Sequence, residues 1–486
     1  MATLRSLSPA TAEVLGEYDI ADAKTVDAAV AEARVAAGWW AGLDTHGRRD
    51  RLLAWKRAIA AGSDELAELI RAETGKPLGD ALLEVMLAVE HLDWAARNAG
   101  KVLRRRRVPS GLLSADQTAA LEYRPLGVIG VIGPWNYPVY TPLGSVSYAL
   151  AAGNAVVFKP SEHTPGVGVW LAAAWTRAVP GHAVLQVVTG DGTTGAALCD
   201  SGVDKIAFTG SAATARVVMA ACARTLTPIV VEGGGKDAMI VAADADLDAA
   251  ARSAAFGGFG NAGQTCAGVE RVYVERPVYQ DFLKRLAEIT GRIKQEEAYG
   301  PMTTPEQPEI VRAHVTDALA AGGRAVVGGV ASVREPYISP VLLAEVPEES
   351  AAVTEETFGP TLVVNPVADL DEAIRLANNS KYGLAASIFS KDQKRAAGLA
   401  RRLRTGAVSI NSVLGFAGVP ALPFGGVGDS GFGRIHGADG LREFSRAQSV
   451  TWRRFAPLID LMRLDRDPHA LDRARKLFRF RHARGK

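Results

Sequence analysis

Hydrophobic positions recur every three or four residues through the first hundred residues of the chain. This period predicts amphipathic helices over residues 22–40, 48–74 and 80–103, the last of them just after Pro77. The arginine run 104–107 follows directly. We interpret it as a solvated helix end, where the helix dipole favours cations, rather than as a nucleic-acid contact.

From about Leu126 the pattern changes to short β-branched runs that alternate with alanine-rich helical stretches. Predicted strands occupy residues 127–133, 154–159, 183–190 and 205–210. Predicted helices occupy residues 141–153, 166–179, 193–202 and 211–223. Strands that alternate with helices of this length form a parallel sheet covered on both faces, through right-handed crossovers. The fold class is therefore α/β, with a Rossmann-like nucleotide-binding architecture in this region.

A second α/β series begins after residues 227–241. Its predicted strands occupy residues 270–275, 324–329, 361–367, 385–390 and 406–411. We place a domain boundary near Gly235, where three consecutive glycines separate two apolar runs.

Composition narrows the class of protein. The 486 residues include 55 Lys and Arg against 53 Asp and Glu, so a net charge of +2 gives no field that points to nucleic acid. No run of about 18 apolar residues predicts a membrane span, and the first residues lack a signal-peptide core. Three cysteines fit a reducing compartment, so we expect a cytoplasmic enzyme. For the basic end, 472–486, a flexible tail is preferred to a membrane-surface helix.

Three residues are candidates for chemistry. Cys266 follows a glycine-rich turn and precedes a strand, so its sulfur could face a cleft, although a small buried hydrophobe is the equal alternative. Glu232 ends an apolar strand before three glycines, where it could pair with Lys236, cap a helix or act as a base. Asn136 lies between two prolines after the first predicted strand, and its amide could stabilise an oxyanion or hold a turn.

Seven short motifs occur in an order that carries a resemblance. They are PWNYP, KPSE, AFTGS, EGGGK, GNAGQTC, EETFGP and PFGG. In this order, from about residue 8 to residue 450, the chain resembles the NAD(P)-dependent aldehyde dehydrogenase superfamily. It is most similar to a branch that contains carotenoid-dialdehyde dehydrogenases. Two positions depart from the family pattern, Gly233 in place of a leucine and Gly428 in place of a lysine, and the first is expected to loosen the segment that holds Glu232.

The resemblance implies a catalytic role for each of the three candidates. Cys266 attacks the aldehyde as a thiolate, and the side chain of Asn136 and the N–H of Cys266 hold the oxyanion of the thiohemiacetal. Hydride transfer leaves a thioester, and Glu232 activates the water that hydrolyses it. The alternatives are a succinate-semialdehyde-type dehydrogenase, a CoA-acylating aldehyde dehydrogenase and a catalytically silent scaffold. Tyr140, Trp170 and Phe416 are candidate substrate-tunnel residues, with a place in the core as the equal alternative for each.

The resemblance also implies a cofactor, NAD, with NADP left open, and no metal. The cofactor-binding residues it implies are Trp135, Lys159, Glu162, Gly210, Ser211, Glu356 and Phe358. Glu162 is expected to favour NAD, because a carboxylate accepts from a 2′-hydroxyl and repels a 2′-phosphate.

The domains implied are an NAD-binding domain (1–117 and 128–235), a catalytic domain (236–443) and a small β oligomerisation element (118–127 with 444–460). A basic tail (461–486) follows. The oligomer expected is a homodimer or homotetramer. The partners expected are a small-molecule aldehyde, most simply a hydrophobic aliphatic or aromatic one, and no nucleic acid, with weak peripheral membrane contact by the tail left open.

Overall fold

A computed structural model of the chain describes residues 2–457, 460, 463–465 and 467–483. It begins with an antiparallel hairpin and four helices: β1 (Thr3–Leu7), β2 (Val14–Asp19), α1 (Ala23–Gly42), α2 (Thr45–Ala61), α3 (Ser63–Thr74) and α4 (Leu78–Val102). The side chains of Asp22 and Asp44 cap α1 and α2 by accepting from backbone N–H groups of their first turns. The helices agree with the predicted periodicity, whereas the hairpin was not predicted.

Two strands, β3 (Arg106–Val108) and β4 (Gln117–Pro125), come next in the chain and belong to a separate small sheet. The first large sheet follows them. Its elements are β5 (Val128–Ile132), α5 (Tyr140–Ala151), β6 (Ala155–Lys159), α6 (Pro165–Ala178), β7 (Leu185–Val187), α7 (Gly192–Asp200), β8 (Lys205–Thr209), α8 (Ala212–Thr225) and β9 (Ile229–Glu232). These five strands are parallel in the order β9-β8-β5-β6-β7. The strand order reverses between β5 and β8, and in such sheets ligands bind at the carboxyl ends beside this point.

The second large sheet lies in the following part of the chain. Its region contains β10 (Asp237–Val241), α9 (Leu247–Phe259), β11 (Val269–Glu275), α10 (Tyr279–Thr290), α11 (Gln307–Ala320), β12 (Arg324–Val327), β13 (Val333–Arg334), β14 (Tyr337–Ile338), β15 (Val341–Ala344), α12 (Ala351–Thr354), β16 (Thr361–Val367), α13 (Leu370–Asn378), β17 (Ala385–Phe389), α14 (Gln393–Ala400) and β18 (Ala407–Ile410). The sheet order is β12-β15-β16-β11-β10-β17-β18, and only β12 is antiparallel to its neighbour. The mixed α/β fold class with parallel sheets is confirmed.

The chain then returns to the first sheet. The last elements are β19 (Gly431–Phe432), α15 (Gly437–Glu443), β20 (Ser445–Arg453) and α16 (Pro468–His482). Strand β19 pairs with β9, and α15 packs against α4 and α5. Residues 431–443 therefore pack with the first domain, although the sequence analysis assigned them to the catalytic domain.

A third, antiparallel sheet stands apart from the other two. Its order is β20-β4-β3, and β4 and β20 pair over nine residues each, from Gln117 with Arg453 to Pro125 with Ser445. These strands occupy the predicted oligomerisation element, whose role stays a prediction and whose residues 458–459 lie outside the described part.

The basic end of the chain forms a helix, α16, where a flexible tail was preferred. Asp467 caps this helix by accepting from the backbone N–H of His469. Of the predicted tail, residues 461–462, 466 and 484–486 lie outside the described part. Across the described residues, none of the helices combines the length and the apolar character that crossing a bilayer requires.

Candidate active site

Cys266 lies where the two large sheets face each other. It follows a tight turn over Gly260–Gly263, in which Asn261, Ala262 and Gly263 all have positive φ. A Cβ on Gly263 would overlap the backbone of Gly359, so only glycine fits there. Cys266 is half-buried and lines a cavity, whereas Cys199 and Cys222 are buried in helices. Cys266 is therefore less buried than the other two cysteines, and its catalytic role stays a prediction.

Glu232 lies at the end of β9, near the Cys266 thiol, whose pKa its charge raises. Its only side-chain hydrogen-bond partner among the described residues is Thr209, whose Oγ1 donates to Oε2 at 3.2 Å, while Oε1 is buried without a partner. Burial raises the pKa of Glu232 to about 7, and the contacts with Cys266 and Thr209 only partly oppose this rise. Burial and the Glu232 carboxylate raise the pKa of the Cys266 thiol, so a base is needed to generate the thiolate.

The glycines after Glu232 are required by close approaches. A Cβ on Gly234 would overlap the carboxylate of Glu356, and a Cβ on Gly233 would lie 2.6 Å from the backbone oxygen of Asp429. The backbone N–H of Gly233 donates to the oxygen of Ser430 at 3.0 Å, and the Ser430 hydroxyl donates to the oxygen of Gly234 at 2.7 Å. The expectation that Gly233 loosens this segment is therefore wrong, because β19 holds it.

Asn136 lies beside this pair, beyond the end of β5. Its side-chain Nδ2 donates to the backbone oxygen of Gln264 at 3.1 Å, two residues before Cys266. Its own backbone oxygen accepts from Lys76 Nζ at 2.8 Å and from Asn261 Nδ2 at 3.2 Å. An amide nitrogen carries two hydrogens, so a second N–H remains for an oxyanion.

Lys76 and Glu84 support Asn136 and were not predicted. Lys76 Nζ pairs with Glu84 Oε2 at 2.7 Å, and both side chains are buried. Glu84 Oε1 also accepts from the backbone N–H groups of Val139 and Tyr140. The available signal was the position of Glu84 on the apolar face of α4, between the buried Ala81 and Val85.

The residues expected to bind the cofactor lie along the carboxyl edge of the first sheet. Lys159 ends β6, and its Nζ donates to Glu162 Oε2 at 3.1 Å. Burial opposes ionisation of Glu162, but the charge of Lys159 and this hydrogen bond lower the pKa of Glu162 overall. Gly210 and Ser211 join β8 to α8, and Ser211 is the N-cap, so the free N–H groups of this helix end face the switch point.

Glu356 and Phe358 lie on a loop from the second domain that faces this edge. Glu356 accepts from the backbone N–H of Gly235 at 3.0 Å, and burial raises the pKa of Glu356 to about 8. Phe358 has a φ of 50° and packs edge-on against Trp135, with 5.5 Å between ring centroids. These contacts place Glu356 beside Gly235 and Phe358 beside Trp135, while the role of the predicted cofactor residues stays a prediction.

Glu270 holds this loop and was also not predicted. It accepts from the backbone N–H groups of Thr357 at 2.9 Å and Phe358 at 3.1 Å, and it forms a buried ion pair with Lys236. Lys236 Nζ donates further to the hydroxyl of Thr357 at 3.1 Å. Lys236 therefore pairs with Glu270. The pair of Lys236 with Glu232, which the sequence analysis left open, does not form.

A cavity of about 360 Å³ leads from solvent to Cys266. Its apolar lining residues include Leu83, Leu87, Tyr140, Phe256, Val413, Leu414, Phe416, Phe424 and Ile435. Leu83 and Phe256 are 48% and 57% exposed and mark its opening. Tyr140 and Phe416 are thus tunnel residues as predicted, whereas Trp170 packs against Gly62 on the helical side of the first domain.

The cavity has few charged groups. Among its lining residues the only cation is Lys76, which is already paired with Glu84, and no arginine is present. Asp80 and Glu232 supply additional acidic groups. Among the residues the structure describes, no group of three or more His, Cys, Asp or Glu side chains is arranged to hold a metal ion.

Two side chains, those of Tyr140 and His91, fix one wall of the cavity. The Tyr140 hydroxyl donates to the backbone oxygen of Ala417 at 3.1 Å, and His91 Nε2 lies 2.9 Å from the same oxygen. A carbonyl only accepts, so His91 carries its proton on Nε2. Burial lowers the pKa of His91, which keeps the imidazole neutral. The wall segment that carries Phe416 is thereby tied to α4 and α5.

Comparisons with known proteins agree with this geometry. The model of the aldehyde dehydrogenase family matches residues 2–450. A 4,4'-diapolycopene aldehyde oxidase of Methylomonas sp is 40% identical over 451 residues, which cover 92% of this chain and 85% of that protein. A Mycobacterium ulcerans (strain Agy99) protein named "putative succinate-semialdehyde dehydrogenase (NADP(+)) 2" is 35% identical, over 90% of this chain and 86% of that one.

A solved structure extends the likeness to the fold. The NAD-dependent aldehyde dehydrogenase from Sinorhizobium meliloti superposes with a TM-score of 0.90 at 33% identity, and covers 95% of this chain and 93% of that chain. Relatives therefore include proteins named for NAD and for NADP. With its family model matched over nearly the whole length, this chain belongs to the aldehyde dehydrogenase family and is an oxidoreductase that acts on aldehydes.

Proposed function

We propose that the protein oxidises a hydrophobic aliphatic or aromatic aldehyde to the carboxylic acid, through a covalent thioester on Cys266. The observation that carries this proposal is that Cys266 lines an apolar cavity together with Glu232, whose pKa burial raises to about 7. A cysteine suits covalent catalysis because sulfur attacks well and later leaves.

The chain's own groups divide the reaction into steps. Glu232 takes the thiol proton of Cys266, and the sulfur then forms a bond to the carbonyl carbon. The free side-chain N–H of Asn136 and the backbone N–H of Cys266 stabilise the resulting oxyanion, a kind of donor worth about 10²–10³ in rate. After the hydride has left, the carbon is a thioester on Cys266. Glu232 releases the thiol proton to solvent and then accepts a proton from the attacking water. As the carbon–sulfur bond breaks, this second proton passes to the sulfur, so the acid is released and the thiol re-forms.

The residues of the cleft fit a nicotinamide dinucleotide. Lys159 and Glu162 offer a donor and an acceptor for ribose hydroxyls, and the amino end of α8 offers N–H groups for a pyrophosphate. Glu356, Trp135 and Phe358 lie on the Cys266 side of the cleft, where they would hold the nicotinamide end. The bound cofactor supplies the hydride acceptor. The half-exposed carboxylate of Glu162 favours NAD over NADP.

The cavity lining supports an apolar substrate over a carboxylated one. Recognition of a semialdehyde's carboxylate calls for a free cation, and the single lining cation, Lys76, is buried in an ion pair. Asp80 on the lining would repel a second carboxylate. Of the two relatives described above, the one named for diapolycopene aldehyde thus fits this cavity better than the one named for succinate semialdehyde.

The position of Glu232 supports hydrolysis over transfer to CoA. A carboxylate near neutral pKa beside the sulfur can activate water, which an acyl transfer to an added thiol does not need. The presence of Cys266, Glu232 and Asn136 together also argues against a catalytically silent scaffold.

A panel of aldehydes assayed by NADH absorbance tests the proposal. We expect kcat/KM for long aliphatic or aromatic aldehydes to exceed that for succinate semialdehyde by at least about tenfold, in line with the value of apolar burial against an unpaired charge. Activity should need no CoA, and Cys266→Ala should abolish it. A preference for the semialdehyde, or a requirement for CoA, would contradict the assignment.

A further inference from the structure

The C-terminal helix α16 has an apolar face that the protein covers only in part. Residues 470, 471, 474, 477 and 478 follow the spacing that places side chains on one side of a helix. Ala470 and Ala474 are buried, whereas Leu471 and Phe478 are 60% and 54% exposed. The side of the helix that carries the alanines is therefore covered, and the helix presents a leucine and a phenylalanine to solvent.

Cations border this exposed strip. Residues 468–482 contain five Lys and Arg against one Asp. At 100° per residue, Arg475 and Arg479 lie on the side of the helix next to Leu471 and Phe478. Arg475 pairs with Asp472 at 2.9 Å, yet its side chain is still 58% exposed. The helix thus offers apolar side chains flanked by arginines.

We propose that α16 binds an anionic membrane surface and holds the enzyme at the bilayer. A helix of this kind lies in the plane of the interface, with leucine and aromatic side chains inserted among acyl chains and arginines on lipid phosphates. The charge of the helix complements an anionic leaflet. Its 15 residues suit an interfacial helix, and it does not meet the requirements of a membrane span.

Two other occupants fit this strip less well. A second copy docked on the same strip through a two-fold axis would bring the two basic borders against each other, which costs energy. A nucleic acid would satisfy the arginines but would leave Leu471 and Phe478 facing phosphates and water. A lipid surface satisfies both the apolar and the cationic side chains.

This inference is independent of the proposed substrate, but the two are compatible. Hydrophobic aldehydes partition into bilayers, so an enzyme held at the interface meets them at higher local concentration. Vesicle binding can be measured without any aldehyde, so its failure and a failure of the substrate assignment would be seen separately.

The test is co-sedimentation of the full chain with lipid vesicles. We expect the protein to bind vesicles that contain phosphatidylglycerol at least about tenfold more strongly than vesicles of phosphatidylcholine alone, because each cation near the surface adds to the affinity. The difference should shrink as salt is raised. Equal binding to both vesicles, or binding to neither, would overturn the proposal.

Paired substitutions separate the two contributions. Leu471→Glu with Phe478→Glu, and separately Arg475→Glu with Arg479→Glu, should each reduce vesicle binding about tenfold or more. The control is Val35→Glu, which places a single glutamate on an exposed apolar position of α1 and should leave binding unchanged. Oxidation of a water-soluble aldehyde by every variant shows that it is folded. Retained vesicle binding in both paired variants overturns the proposal. So does a paired variant that still binds vesicles but has a changed molar mass by light scattering, because the strip would then be a contact between copies of the chain.

Discussion

Two buried glutamates, Glu232 at the end of β9 and Glu270 near the start of β11, have opposite surroundings. Glu232 has one hydroxyl donor, Thr209, and one of its oxygens has no partner among the described residues. Glu270 accepts from two backbone N–H groups and from the ammonium of Lys236. The partners of Glu270 use it to hold a loop, whereas the incompletely satisfied Glu232 can exchange a proton near neutral pH. The comparison thus separates a glutamate suited to catalysis, Glu232, from one that supports the structure, Glu270.

The largest expected effect is on turnover in Glu232→Gln. The amide cannot accept a proton from the thiol or from water, so steady-state turnover should fall by about 10²–10⁴, the range for a general base. Rapid mixing with aldehyde and NAD, followed by NADH absorbance and by mass spectrometry of the intact chain, should show that both the formation and the hydrolysis of the acyl-enzyme are slowed. If turnover in this variant stays close to that of the unchanged protein, Glu232 is not the base.

Glu270→Gln should instead affect stability. It leaves the ammonium of Lys236 buried without a countercharge, a change that costs about 3–5 kcal/mol in the free energy of unfolding. Chemical denaturation measures this cost. The control is Glu355→Gln, which breaks the exposed pair with Lys381 and should cost less than about 1 kcal/mol. If the two variants lose similar amounts of the free energy of unfolding, Glu270 does not support the structure more than an exposed ion pair does.

The pH dependence follows from the raised pKa of Glu232. Because the carboxylate form is the base, kcat should rise with pH and level off above about 7. Stability should change the other way, because the folded protein binds this proton more tightly than the unfolded chain does. The contribution of Glu232 to stability is therefore lost as pH rises from the ordinary glutamate range to about 7. In Glu232→Gln, denaturation curves at several pH values should lose this segment of the dependence.

The smallest effect concerns a third carboxylate, which is ion-paired but half-exposed. Glu162→Gln keeps the shape and removes the charge that repels a 2′-phosphate, so the preference for NAD over NADP should fall by about tenfold or less, as expected for a screened interaction of about 1 kcal/mol. Measurement of kcat/KM with both cofactors checks it, and an unchanged ratio would place the discrimination elsewhere.

Most of the helices and strands were predictable because periodicity depends only on the local sequence. The hairpin β1–β2 was missed because its pairing joins strands whose own pattern is weak. The return of β19 to β9 was missed for a related reason. It is a contact between residues about 200 positions apart, and nothing in the local pattern of Gly431 and Phe432 announces it.

The α/β class and the motifs around Cys266, Glu232 and Asn136 could be predicted from short segments of the chain, because backbone propensity and side-chain chemistry are local properties. Only the tertiary structure decided which buried charges would pair, as in the ion pair of Lys76 with Glu84, and which aromatic residue would face the cavity. Trp170 and Tyr140 both lie at helical positions with similar neighbours, yet only Tyr140 lines the tunnel. The reason is that burial and pairing energies arise from distant segments brought together, which no local pattern contains.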